Sequence, residues 1–410
     1  PYFYSVNLKA KKGNEIGVEM TATERCGIFR FTFPENQDPF LLIEASQNPD
    51  FDGWVKIDTA KGEIIGYNAD RNSAITGPEL AGFKGYFILK FDFEIAEFGV
   101  WNNSEKTEGA TEIIGKHIGA WIRPKQGTTT ALVKVGSSFI SVEQARENLE
   151  KEIPHFDFEI TKEETRLIWE QYLHRIEIEG GTEDQRSIFY SALYHTLLFP
   201  RQFSEYGRYY SAFDDTIHNG TSYNDFSLWD TFRAQHPLLL LTAGEHVSGM
   251  ANALIQMYEQ GGYMPKWPNP TYTNIMIGTH ADAVLADALV KGVKGINPES
   301  AYAAVHKNAM SPPDGDSLKR WEDRALWTGY EARAGLSWYK KLGYVPVDKT
   351  SESVSRTLEF AYDDFCVAQV AKAAGKQEDA AFFLERSQNY RNLYNAKTGF
   401  MAPKNADGTW

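Results

Sequence analysis

Residue types and spacing come nearest to chemistry in YNDFSLWDTFRAQHPLLLL, Tyr223 to Leu241. Ser227, Asp230 and Arg233 recur every three residues there, so on a helix they form one polar ridge beside the flat apolar face of Trp229. The leucines that follow mark the segment as buried. A polar ridge in a buried segment is either satisfied internally or faces a cavity that something polar enters. Trp229 has the shape that stacks on a sugar ring. The plainer alternative is a helix N-terminus, with Ser227 as cap, Asp230 completing a capping box and Arg233 pairing with Asp230. This stretch alone leaves both readings open.

Other polar groups lie at the starts and on the faces of helices. The loop GGYMPKW carries Lys266 and Trp267, or it simply ends a helix with its aromatic packed down. Gly278-Thr279-His280-Ala281-Asp282 opens the next helix; His280 and Asp282 are placed to hydrogen-bond hydroxyls, while Thr279 and Asp282 equally suit capping. In the helix expected from Ser353, the residues Leu358, Ala361, Phe365 and Ala368 make the buried stripe. Glu359 and Asp363 lie four apart on another face. They repel unless a cation, a sugar, an arginine such as Arg356 or plain solvent compensates them. The sequence has no P-loop, no GxGxxG after a strand, no HExxH, no CxxC and no GxSxG, which disfavours a nucleotide enzyme, a zinc protease or a serine hydrolase.

The elements that must position these residues follow from pattern. At 410 residues the chain exceeds one ordinary core, and a net charge of −13 argues against nucleic acid or an anionic membrane as partner. Aromatics reach 14%, which suits carbohydrate binding and large cores alike. No apolar run approaches the ~20 residues of a membrane-spanning helix, and PYFYSVNLKAKKG does not read as a signal peptide. Cys26 and Cys366 read as free thiols. Residues 1–140 carry strand-like runs separated by turn residues, an antiparallel β-sandwich by pattern: Gly27–Phe33, Pro39–Ala45, Gly85–Phe93, His117–Pro124 and Thr130–Ile140. Residues 141–179 switch to helical period and read as a helical linker, with capping boxes at Ser141/Gln144 and Thr161/Glu164. A third box, Thr182/Gln185, begins the helical domain, 180–410. Its further helices are expected at Glu245–Gln260, Ile277–Lys291, Pro298–Met310, Gly329–Leu342, Ser353–Ala374 and Gln377–Asn395, as pairs in a ring or solenoid.

FSLWDTFRAQHPLLLL, GGYMPKWPNP, MIGTHADAVLADALVKG and SRTLEFAYDDFCVAQVAKAAGK, in this order, resemble the glycoside hydrolase family 92 α-mannosidases. FTFPENQD, GSSFISVEQARENLEKEI and EDQRSIFYSALYHTLLFPR look like the same family. The resemblance implies a multidomain β + α fold: an N-terminal antiparallel β-sandwich, a helical linker and an (α/α)6-type toroid, incomplete in this chain. It implies calcium as cofactor, a mannose-containing glycan as partner, and removal of terminal α-linked mannose with inversion, α-1,2 selective. It also implies a periplasmic or extracellular, cell-surface location. Trp229, Asp230 and Arg233 match the family's WDTFR segment lining the terminal mannose subsite. His280 matches its MxGxH segment, and Glu359 and Asp363 its LEYAYDD segment. Trp267 and Asp282 fall within matching motifs and complete the expected substrate-binding set. The family's general acid, general base and glutamate-containing calcium motif are expected beyond Trp410, so no catalytic residue or metal ligand is assigned. Two rivals remain: an (α/α)6 sugar phosphorylase, which needs basic residues such as Lys266 and Arg233 to hold phosphate, and a non-catalytic glycan-binding protein.

Overall fold

The computed structural model describes all residues except 10–14, 36–38, 48–49, 71–81, 104, 319 and 322–332. The described chain forms two compact units, one of residues 1–70 and 82–186, the other running from Ser187 to Trp410.

In the first unit, strict alternation produces strands that bury one face. They are β1 (Tyr4–Lys9), β2 (Glu15–Ala22), β3 (Cys26–Thr32), β4 (Leu41–Ser46), β5 (Gly53–Asp58), β6 (Glu63–Asn68), β7 (Gly85–Phe91), β8 (Ile95–Asn102), β9 (Glu105–Glu108), β10 (Glu112–Gly115), β11 (Ile118–Pro124) and β12 (Thr130–Ser138). An eight-stranded sheet has the order β1-β2-β3-β12-β7-β6-β5-β10, and a four-stranded sheet the order β4-β11-β8-β9. The paired strands run antiparallel. Val55, Ile57, Ile64 and Val133 of the first sheet meet Ala45, Val100, Ile118, Ala120 and Ile122 of the second in one core, which makes a sandwich. Phe87, Leu89, Phe91 and Phe93 pack on that core, as their alternation requires.

Helices α1 (Val142–Glu152) and α2 (Phe158–Leu173) lie on the outer face of the eight-stranded sheet. Their Ala145, Leu149 and Phe158 join Cys26, Ile28 and Ile88 in a second cluster. A β-carbon at Gly136 would stand 2.5 Å from the Ala145 carbonyl oxygen, so glycine there lets α1 lie flat on β12. Ser141 caps α1 as its box predicts, with the Gln144 N–H donating to its hydroxyl at 3.1 Å. The Thr161/Glu164 box is not formed. Asp157 caps α2 instead, accepting from Glu159 and Ile160, and Thr161 becomes a buried residue of the first turns. The packed face of α2 is therefore Phe158, Thr161 and Thr165, while Leu167 and Ile168 are exposed.

The second unit is helical and begins inside its first helix. Helix α3 (Glu183–Thr196) opens with the reciprocal Thr182/Gln185 box, at 2.9 and 3.2 Å. Then come α4 (Leu228–Thr231), α5 (Gln235–Thr242), α6 (Gly244–Gly261), α7 (Ala281–Val290), α8 (Pro298–Met310), α9 (Leu336–Leu342), α10 (Ser353–Ala373) and α11 (Gln377–Arg386), with a 3-10 turn at Ser387–Leu393. Residues 329–332 of the helix expected from Gly329 lie outside the described residues, and α9 starts after Gly335 at φ +84°. The leucine block is not uniformly buried: Leu239 is 2% exposed and Leu241 83%. The stripe of α10 is shifted as well. Phe360, Ala361, Val367 and Ala368 are buried together with Asp363 and Asp364, while Phe365 is 46% exposed. Two adjacent aspartates in a helix core require partners, and those partners build the site.

Candidate functional site

Helix α4 is a single turn. Ser227 precedes it without capping it. Its hydroxyl donates to Asp230 Oδ2 and accepts from Trp267 Nε1 at 2.7 Å, so Trp267, Ser227 and Asp230 form one line. Trp229 is 38% exposed and Asp230 is exposed beside it. Arg233 does not pair with Asp230. Its guanidinium donates to the Trp229 carbonyl at 2.9 Å and to Glu359 Oε1 at 3.1 Å. The expected polar ridge therefore splits: Asp230 is held by a hydroxyl with its remaining surface open, and Arg233 is tied to α10.

Glu359 and Asp363 are not left to repel. His280 lies between them, with Nδ1 2.9 Å from Asp363 Oδ1 and Nε2 3.4 Å from Glu359 Oε2. Arg356, the compensator considered from sequence, turns away to the Ser351 carbonyl and Glu352. The His280 ring stacks on Phe232, centroids 4.1 Å apart and planes 16° apart. Gly278 makes room for it: with φ +83°, a β-carbon there would stand 2.4 Å from His280 Nε2. Only glycine suits both that backbone and that approach.

Behind His280 lies a buried charge network. The Thr279 N–H donates to Asp363 Oδ2 at 2.7 Å. Arg333 donates to Thr279 Oγ1 at 3.0 Å, to Asp282 Oδ2 at 3.0 Å and to Asp364 Oδ1 at 2.6 Å. Asp364 also takes Arg386 at 2.6 and 2.7 Å and the Tyr339 hydroxyl at 3.0 Å. Burial, reinforced by the neighbouring Asp363, raises Asp282 above the ordinary carboxylate range despite Arg333. Asp363 is buried too, but His280 and Arg333 hold it below that range.

The structure thus joins the eight sequence-derived residues through contacts, in two roles. Trp229, Asp230, Arg233, Glu359 and the half-buried Trp267 keep surface, whereas His280, Asp282 and Asp363 are at most 1% exposed and face protein groups. Phe232, Arg233, Pro237, Ala283, Asp287, Glu359 and Tyr362 line a cleft of about 400 Å³. A larger groove of about 530 Å³ along α6 contains none of them, so its size does not mark it as the site. Sequence reading missed Phe232, Arg333 and Asp364. The double aspartate at 363–364 on an apolar helix was the available signal for Asp364; Arg333 offered none. Among the described residues no group of three or more His, Cys, Asp or Glu could hold a metal ion.

Comparison with known proteins decides the family. The profile of the glycosyl hydrolase family 92 N-terminal domain matches residues 1–138, and that of the family 92 catalytic domain matches residues 144–410. The chain belongs to glycosyl hydrolase family 92. Among solved family 92 structures, an inverting mannosidase from Bacteroides thetaiotaomicron is 33% identical, with a TM-score of 0.90 over 100% of this chain and 53% of its own. A family 92 α-mannosidase of the same organism, in complex with mannoimidazole, is 31% identical with a TM-score of 0.86, over 100% of this chain and 52% of its own. An uncharacterized secreted glycosidase of Arthroderma benhamiae is 26% identical over 460 residues, covering 100% of this chain and 52% of that protein. The chain spans about half the length of these relatives.

Proposed function

We propose that this chain supplies the terminal-mannose subsite of an exo-acting α-mannosidase. The observation that carries the reading is the Trp229–Asp230 pair. An indole and a carboxylate are presented side by side with free surface and fixed from behind, one backbone by Arg233 and one side chain by Ser227. An aromatic face takes the apolar side of a pyranose ring, and a carboxylate accepts from two of its hydroxyls. Solved relatives named as family 92 mannosidases, one holding mannoimidazole, support mannose as the sugar.

The proposal extends to inversion and to α-1,2 selectivity. Inversion takes an acid and a base roughly 6.5–9.5 Å apart with water between them. No carboxylate pair among the described residues is assigned to those roles. Calcium assistance belongs to the same proposal, but the carboxylates near the cleft are already engaged by Ser227, Arg233, His280 and Lys291, and they do not form a cation cage. The phosphorylase rival loses its cations: Lys266 is buried against Asn274 at 3.3 Å, and Arg233 is committed to Glu359. The relative named as a secreted glycosidase supports a glycan substrate met outside the cell.

The test is mannose release from α-1,2-mannobiose by the intact protein, with calcium and again with chelator. Release abolished by chelator and restored by calcium is the expected result. Release only with added phosphate would favour a phosphorylase. Binding without release would leave a glycan-binding protein.

A further inference from the structure

Both ring nitrogens of His280 face carboxylate oxygens, those of Asp363 at 2.9 Å and Glu359 at 3.4 Å. Neither nitrogen makes a hydrogen bond of good geometry, so what acts between them is charge. A carboxylate accepts and does not donate, and a neutral imidazole leaves a bare lone pair on one nitrogen. A neutral ring would press that lone pair against an anion in a site where the ring is 1% exposed. An imidazolium satisfies both sides. The stack on Phe232 agrees, because an aromatic face attracts a cation lying over it. The surrounding charges agree as well. Arg333 and Arg386 answer Asp282 and Asp364, and Arg233 answers Glu359, whereas among the described residues the cation in direct contact with Asp363 is His280. Tyr362, the other ring beside it, stands 6.3 Å away.

A charged His280 has a task at the cleft. It anchors one oxygen of Glu359, whose other oxygen holds Arg233, and Arg233 holds the Trp229 carbonyl. The Arg233 guanidinium lies over both the Trp229 ring, at 5.1 Å, and the Phe232 ring, at 4.4 Å, and Phe232 in turn stacks on the His280 ring. A four-residue helix without a side-chain cap cannot hold its own geometry. We propose that His280, carried as an imidazolium, is the positioning residue that fixes the Trp229–Asp230 face for the sugar without touching it. The proposal rests on the mannose-subsite reading and takes His280 out of the set of sugar contacts.

The test has two arms on the intact protein. In spectra of the 15N-labelled histidines, with His280 assigned by its loss in His280→Gln, both ring nitrogens of His280 carry a proton at neutral pH. A ring with one bare nitrogen overturns the proposal. In the second arm, affinity for mannoimidazole falls about tenfold, near 1.4 kcal/mol, in His280→Gln and in Phe232→Leu. Phe232→Leu keeps the buried charges and melts within a few degrees of wild type, so it carries this arm should His280→Gln not fold. Undiminished affinity in a folded variant overturns the positioning role. A wild-type protein that binds no mannoimidazole refutes the mannose reading alone, and the ring-nitrogen spectra then decide for His280.

Discussion

Replacing Arg333 with methionine removes the cation at the centre of the buried network. The side chain is 0% exposed and donates to Thr279, Asp282 and Asp364. Asp364 keeps Arg386 and Tyr339, so the damage concentrates on Asp282, which retains only the Thr279 hydroxyl at 2.7 Å. Removing one partner of a buried ion pair costs about 3–5 kcal/mol, and Asp282, already raised, meets part of that cost by taking up a proton. For a unit of this size, each kcal/mol lowers the melting temperature by about 2–4 °C, which gives a fall of about 6–20 °C. Scanning calorimetry reads it directly. The double variant Arg333→Met/Asp282→Asn removes the orphaned charge and should recover about half of the loss or more. The pH dependence supplies a second check. Asp282 titrates above the unfolded value near 3.8, so its contribution is greatest at and below that pH and is lost as pH rises through its raised value. Asp363 runs the other way: its contribution is present above the unfolded value and is lost as pH falls. Asp282→Asn must therefore flatten the decline on the upper side and leave the acid limb. A single variant melting within about 2 °C of wild type, or a double variant no better than the single, would refute the reasoning.

His236 is buried against Phe226, and burial pushes it down to about 4 from 6.5. Folding with this ring neutral is favoured above pH 6.5, and the contribution is lost as pH falls toward 4, up to about 3 kcal/mol at 1.36 kcal/mol per unit. His236→Phe should remove that acid sensitivity in calorimetric melts between those pH values. Gly278→Ala sets a β-carbon against the His280 ring at positive φ, and should cost about 1–3 kcal/mol in denaturant titrations while weakening sugar binding. An unchanged unfolding midpoint would show that the loop relaxes freely.

Much of this architecture was legible because local rules and tertiary packing agree. Alternation placed Phe87, Leu89, Phe91 and Phe93 on the sandwich core, and the boxes at Ser141/Gln144 and Thr182/Gln185 set the starts of α1 and α3. Asn297 followed by Pro298 opens α8 in the same way. Misreadings arose where a partner distant in sequence decides. Thr161 looked like a cap, but Asp157 takes the free N–H groups and Thr161 packs inward. Helix α7 was expected from Ile277 and begins at Ala281, because the preceding residues carry positive φ at Met276 and Gly278 to present Thr279 and His280. The stripe of α10 was misplaced because hydrophobicity cannot foresee that Arg333 and Arg386 make two aspartates into core residues. The motifs around Trp229, His280 and Glu359 were found, but not their division of labour: exposure separates Trp229 and Asp230 from the buried groups behind them, and exposure is a tertiary property.

The central claim is that Trp229 and Asp230 form the surface a terminal mannose meets. Asp230 is exposed and bonded to Ser227, so Asp230→Ala should leave melting within about 1 kcal/mol of wild type, as surface substitutions do. Isothermal titration of the intact protein with mannoimidazole, wild type against Asp230→Ala, tests the claim most directly. Losing a charged acceptor that takes sugar hydroxyls predicts at least tenfold weaker binding at unchanged stability. Equal affinity in the two proteins would place the mannose elsewhere and contradict the account.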